Sequence, residues 1–125
     1  MSLRTPLGQA LGRGSAGEGV GHWWLQRVTA LALIPLTLWF AVSLLGKSLQ
    51  SYELMSGWLG QPWVAVGTIL LALTLAWHSK LGVQVVIEDY VHAKGTKTAL
   101  LLLSIFLHVA AAVAAVFAVL LLALS

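Results

Sequence analysis

Trp77-His78-Ser79-Lys80-Leu81-Gly82-Val83-Gln84-Val85-Val86-Ile87-Glu88-Asp89-Tyr90-Val91-His92 closes an apolar run that begins near Pro62. The run is long enough to read as a membrane-spanning helix, and its last turns carry two histidines, an acidic pair and a tyrosine. A neutral imidazole inside a span needs a partner, because hydrocarbon supplies none. One partner is a hydrogen bond within the helix bundle. Another is haem iron, which takes histidine as an axial ligand. Gly82 follows one helical turn after His78, and a residue without a side chain there lets a flat macrocycle lie close to the backbone. At ~100° per residue, His78, Gly82, Val85 and Asp89 form one stripe. Asp89 sits roughly 16 Å beyond His78 at ~1.5 Å per residue, which carries it to the water boundary, where a carboxylate ionises. Tyr90 offers a phenolic donor at the same depth. A ring ligand inside the bilayer, with an acid and a phenol at its mouth, suits a cofactor together with a quinone headgroup.

The composition agrees with a membrane setting. Of 125 residues, 59% are hydrophobic and only 9% charged, against roughly 25% charged in soluble proteins. A soluble chain this small has no interior large enough to hide so much apolar surface. One domain fits the length. The absence of cysteine excludes disulfides, thiolate metal sites and iron–sulfur ligation within the chain. The net charge of +3 comes from cations that flank apolar runs. These read as topology determinants, and no nucleic-acid partner is expected.

Taken in order, residues 1–21 form a polar, glycine-rich segment expected to be extended and cytoplasmic, and it lacks the pattern of a cleaved signal peptide. Residues 22–125 are expected to form an all-α membrane domain of three transmembrane helices, with spans at about 24–45, 62–87 and 99–124. Trp23, Trp24 and Arg27 mark the first interface, and Pro35 lies inside the first span, where it kinks a helix or removes a hydrogen bond. Gly46 to Gln61 reads as a polar connection with Trp58 and Trp63 near the next interface. Lys80, about 200° round from His78, points away from that stripe and snorkels toward headgroups. Glu88 to Thr98 reads as a short loop. Arg4, Arg13, Arg27, Lys94 and Lys97 favour a cytoplasmic N-terminus, so three spans leave the C-terminus periplasmic. In the third span, Ala110-Ala111-Ala112 and Ala114-Ala115 offer a smooth face for helix packing. His108 lies at a depth similar to that of His78, so two-sided ligation by one chain is open on helix geometry alone.

The pattern His78-x-x-x-Gly82-x-x-x-x-x-x-Asp89-Tyr90-Val91, with His92 following, resembles the small hydrophobic (D-type) membrane anchor of succinate dehydrogenase, complex II, in its alphaproteobacterial and mitochondrial branch. The resemblance implies an anchor subunit of a succinate:quinone oxidoreductase in the inner (cytoplasmic) membrane, crossing it several times. It implies that His78 is an axial ligand of haem b, that Gly82 borders the haem, and that a second, C-type anchor supplies the other axial histidine. It also implies that Tyr90 hydrogen-bonds a carbonyl of ubiquinone and that Asp89 helps arrange that pocket. Arg27 and His22 read either as groups approaching a haem propionate or the quinone, or as interfacial anchors. The implied partners are the C-type anchor, an iron–sulfur subunit and a flavoprotein. The chain then holds no complete active site of its own. The alternatives are the anchor of a quinol:fumarate reductase, a cofactor-free structural or assembly membrane protein, and a single-chain bis-histidine cytochrome.

Overall fold

The computed structural model describes residues 16–47 and 51–125, and these are all-helical. Four helices follow one another: α1 (Ala16–Lys47), α2 (Tyr52–Leu59), α3 (Pro62–Tyr90) and α4 (Lys94–Leu124). Three apolar stretches of membrane-spanning length lie in them, Gly19–Gly46, Pro62–Tyr90 and Lys94–Leu124. At ~1.5 Å per residue each exceeds a ~30 Å hydrocarbon core, so the helices tilt or protrude. Ala16–Gly21, expected to be extended, is instead the first part of α1, and Pro35 is carried inside that helix without ending it. The expected extended state of residues 1–15 lies outside the described residues.

The boundaries have local causes. Ser51 caps α2, its hydroxyl accepting from the Leu54 amide at 3.3 Å, and Glu53 places a negative charge in the first turn. Gly60 ends α2, and Pro62 then opens α3 at a position where a missing amide proton costs nothing. The stretch Gly46–Gln61 is therefore not a plain connection. The stretch Glu88–Thr98 is not a plain loop either. α3 continues through Glu88, Asp89 and Tyr90, α4 begins at Lys94, and only Val91–Ala93 links them. Two contacts hold this shorter link. Gln84 donates to the Glu88 carboxylate at 2.8 Å, one turn apart on α3. The Lys97 ammonium donates to the Glu88 carbonyl at 3.1 Å, placing a cation on the C-terminal end of α3.

α3 packs against both α1 and α4, which scarcely meet each other. α2 tucks across one end of this row. Trp58, Leu59 and Val64 are buried there, packed against Trp39, Phe40, Leu44, Met55 and Leu122. Trp58 was expected at a lipid interface. It is 3% exposed because the Trp39, Phe40 and Trp58 rings close over one another, with centroids 5.7–6.4 Å apart. Gly67 makes the close approach of Trp39 to α3 possible, since a Cβ there would lie 2.7 Å from the indole Cη2. Elsewhere the interior is thin. Leu81 and Val119 are buried, whereas Leu31, Val42, Phe106 and Phe117 stand more than 60% exposed. Ala110, Ala111 and Ala114 also face outward, while Ala112 and Ala115 are half-buried, so only part of the small-residue surface of α4 is used within the chain. An apolar exterior of this extent is stable against lipid and partner helices and not against water.

Candidate functional site

Two seams run along α3, on nearly opposite faces. The first faces α1. There the His78 ring lies between two polar side chains from α1: its Nδ1 is 2.9 Å from Thr29 Oγ1, and its Nε2 is 3.5 Å from Gln26 Nε2. Thr29 also donates to its own helix, reaching the Leu25 carbonyl at 2.6 Å. Gly82, one turn along α3, faces the same seam, and the Gln26 amide at 3.9 Å is the one atom that a Cβ there would meet within 4 Å. His22 stands one turn before Gln26 on α1. His22 Nε2 and Gln26 Oε1 are buried without a hydrogen-bond partner.

A buried polar atom with no partner costs on the order of 1–3 kcal/mol. Gln26, which carries one of these atoms, reaches both His78 and Gly82, and His22 carries the other one turn earlier on the same helix. Residue chemistry suits a haem. His78 supplies an imidazole in an apolar span, Gly82 leaves the backbone bare, and the side chain that a Cβ at Gly82 would meet is a flexible glutamine. Among the described residues no group of three His, Cys, Asp or Glu side chains converges to hold a metal ion. Arg27 lies elsewhere: it is exposed, with its guanidinium 5.2 Å from the centre of the Trp23 ring.

The second seam faces α4. Leu73, Ala76, Trp77, Lys80, Ile105, His108, Val109 and Ala112 line a half-open groove of about 350 Å³. Lys80 borders this groove and, with Gln84 and Leu101, a second, smaller one beside it. Its ammonium lies 5.4 Å from the centre of the Trp77 ring, one turn back along the helix. His108 Nδ1 donates to the Ser104 carbonyl at 2.7 Å, one turn earlier on α4. His78 and His108 thus occupy different seams, a contact with α1 for one and the α3–α4 groove for the other.

Asp89 and Tyr90 form the last turn of α3, and both are exposed, Tyr90 to 79%. His92, in the link, has its Nδ1 3.2 Å from the Tyr90 carbonyl. The continuous helix from His78 to Tyr90 keeps ring and phenol in fixed relation along one axis. Sequence reasoning missed Gln26 and Thr29. Their signal was available: two hydrogen-bonding side chains three residues apart on one face at the start of an apolar span.

Residues 1–121 match the protein family described as succinate dehydrogenase/fumarate reductase transmembrane subunit. The succinate dehydrogenase hydrophobic membrane anchor subunit of Paracoccus denitrificans is 34% identical over 118 residues, 94% of this chain and 91% of that protein. The subunit of the same name from Rickettsia bellii is 31% identical over 100 residues, 80% of each chain. The succinate dehydrogenase membrane anchor subunit of Reclinomonas americana is 35% identical over 95 residues, 72% of this chain and 74% of its own length.

Proposed function

The chain belongs to the succinate dehydrogenase/fumarate reductase transmembrane subunit family, and from that premise we propose that it works as the D-type anchor of a succinate:quinone oxidoreductase, sharing a haem b with a second anchor subunit and contributing to the site of ubiquinone reduction. It is a multi-pass protein of the inner membrane. Its apolar exterior suits both lipid and the helices of a C-type anchor, while the end bearing Tyr90 suits the iron–sulfur and flavoprotein subunits. Both α1 and α4 begin at that end, and Lys94 and Lys97 there favour the cytoplasmic side. The relatives' names favour succinate oxidation over fumarate reduction as the working direction.

The observation that carries this reading is the single unbroken helix α3, which holds His78 and Gly82 in the seam facing α1 and Asp89 and Tyr90 at its exposed end. His78 would hold the iron through Nε2, with Gly82 giving the macrocycle room and His22 and Gln26 offering polar atoms at its edge. When bound, the haem supplies a one-electron store beside the quinone. Quinone reduction takes two electrons and two protons, and charge builds on the carbonyl oxygens before the protons arrive. The Tyr90 hydroxyl donates to one of those oxygens, and the Asp89 carboxylate relays protons from the water it faces. The rest of the pocket comes from partner subunits.

Tyr90→Phe tests this. It keeps the ring and removes one hydroxyl. A hydrogen bond to a developing charge is worth about 1.5–3 kcal/mol, on the order of ten- to a hundredfold in quinone reductase rate. Succinate oxidation with a soluble acceptor that takes electrons before the quinone stays at the wild-type rate, because flavin and clusters lie in other subunits. Full quinone reductase activity in the variant removes Tyr90 from the site.

A further inference from the structure

We infer that Thr29 is the positioning residue for His78, fixing the imidazole as its Nδ1–H tautomer so that the Nε2 lone pair is free for a metal. This rests on the haem reading above and deepens it.

The inference follows from counting protons. The Thr29 hydroxyl has one hydrogen and three neighbours: the Leu25 carbonyl at 2.6 Å, the Gln26 carbonyl at 3.2 Å and His78 Nδ1 at 2.9 Å. Carbonyl oxygens only accept. The shortest contact therefore takes the hydroxyl proton, and the Thr29 oxygen is left to accept. His78 Nδ1 must then be the donor, so the ring's single proton sits on Nδ1. Nε2 is left unprotonated, the form in which imidazole binds iron. The neighbour on the other side agrees. The Gln26 amide nitrogen, a donor, faces Nε2. At 3.5 Å that contact is too long to be strong, and it comes from a side chain whose carbonyl oxygen has no partner. Gln26 is thus a displaceable occupant of the Nε2 position, while Thr29 is a fixed one.

Three features make the Thr29 contact suited to orienting the ring. A hydroxyl that donates to a carbonyl becomes a better acceptor, so the chain Leu25 carbonyl, Thr29 hydroxyl, His78 Nδ1 is mutually reinforcing. The back-bond within α1 holds the β-branched side chain in one rotamer. The seam lies within the membrane span, where water does not stand ready to replace a lost partner. A firm acceptor on Nδ1–H also increases the electron donation of Nε2, which favours ferric over ferrous iron.

The experiment uses the purified complete complex with Thr29→Val, which keeps the shape and deletes the hydroxyl, and Thr29→Ser, which keeps the hydroxyl. Haem content, the low-spin electron paramagnetic resonance signal and the midpoint potential are measured for each. Loss of an outer partner weakens a metal site on the order of tenfold. If that loss falls on the ferric state, the potential of Thr29→Val rises by about 59 mV, the one-electron equivalent of a factor of ten, and its resonance signal moves. Thr29→Ser restores both. A Thr29→Val complex with wild-type potential and signal overturns the inference while leaving His78 as the ligand. Should Val prevent assembly, Thr29→Cys carries the same comparison, since a thiol is a poor hydrogen-bonding substitute. His78→Leu, run beside these, separates the two claims: an unchanged haem spectrum in that variant defeats the haem reading itself.

Discussion

Replacing Gly67 by alanine adds one methyl group where the Trp39 ring of α1 lies directly against α3. The new Cβ would lie 2.7 Å from Cη2 and 2.9 Å from Cζ3 of Trp39. Trp39 has to withdraw by about 0.8 Å to restore an ordinary carbon contact of ~3.5 Å. It is not free to do so, because the Trp58 and Trp63 rings stand 6.4 and 6.0 Å from its centre. Overpacking of this kind costs about 1–3 kcal/mol. Removing a glycine from a helix returns about 0.5–1 kcal/mol, so Gly67→Ala is expected to lose on the order of 1 kcal/mol net. Gly57→Ala is the control: it also removes a helical glycine, but nothing lies within 4 Å of its Cβ. The backbone contribution is common to both, so the difference between the two variants isolates the clash. Trp39→Leu removes the obstructing ring, and in that background Gly67→Ala should behave as Gly57→Ala does, a coupling of about 1–3 kcal/mol. Titrating the chain from mild micelles into SDS, with far-ultraviolet circular dichroism as the signal, measures all of these. Equal stability of Gly67→Ala and Gly57→Ala, or a cycle without coupling, would refute the packing argument.

Other expectations concern the two histidines and the orientation. His78→Leu abolishes or strongly alters the b-type spectrum of the complex, whereas His108→Leu, in the α3–α4 groove, leaves most of it; loss of the spectrum in both variants would revive a single-chain bis-histidine cytochrome. A cysteine at Thr96 reacts with a membrane-impermeant reagent from the cytoplasmic side and one at Glu53 from the opposite side. Labelling of both from one side would mean that α3 does not cross the membrane.

The three long helices were legible because a span is a property of composition summed over some twenty residues, and that sum tolerates interruptions such as Pro35, His78 and Lys80. α2 was not. Eight residues holding Gly57 and ended by Gly60 carry too short a period to read, and the burial of Trp58 and Leu59 depends on Phe40 and Leu122, far away in the chain. The polar run from Glu88 looked like a loop for the same reason. Its helical state rests on the Gln84–Glu88 contact and on a bond from Lys97, which no local pattern announces. Within the site, the shared face of His78 and Gly82 followed from helical arithmetic alone. The partners of that face, Gln26 and Thr29, depend on the register of α1 against α3. Register is fixed by packing such as Trp39 on Gly67, so it becomes visible only when both helices are in place.

The buried aromatic cluster at the α2 end bears on how cells handle this protein in excess. One end of the molecule closes by itself, around Trp58, Leu59 and Val64. At the other, the short link Val91–Ala93 is spanned by the contact of Lys97 with α3. An orphan copy, made without its partner subunits, would be half finished: closed where the rings meet, and exposed where Asp89, Tyr90 and Lys94 stand. Proteases that survey unassembled membrane subunits need an exposed stretch to engage. With the partners docked at that end, as proposed, assembly itself would set the lifetime of the subunit and keep its supply matched to theirs.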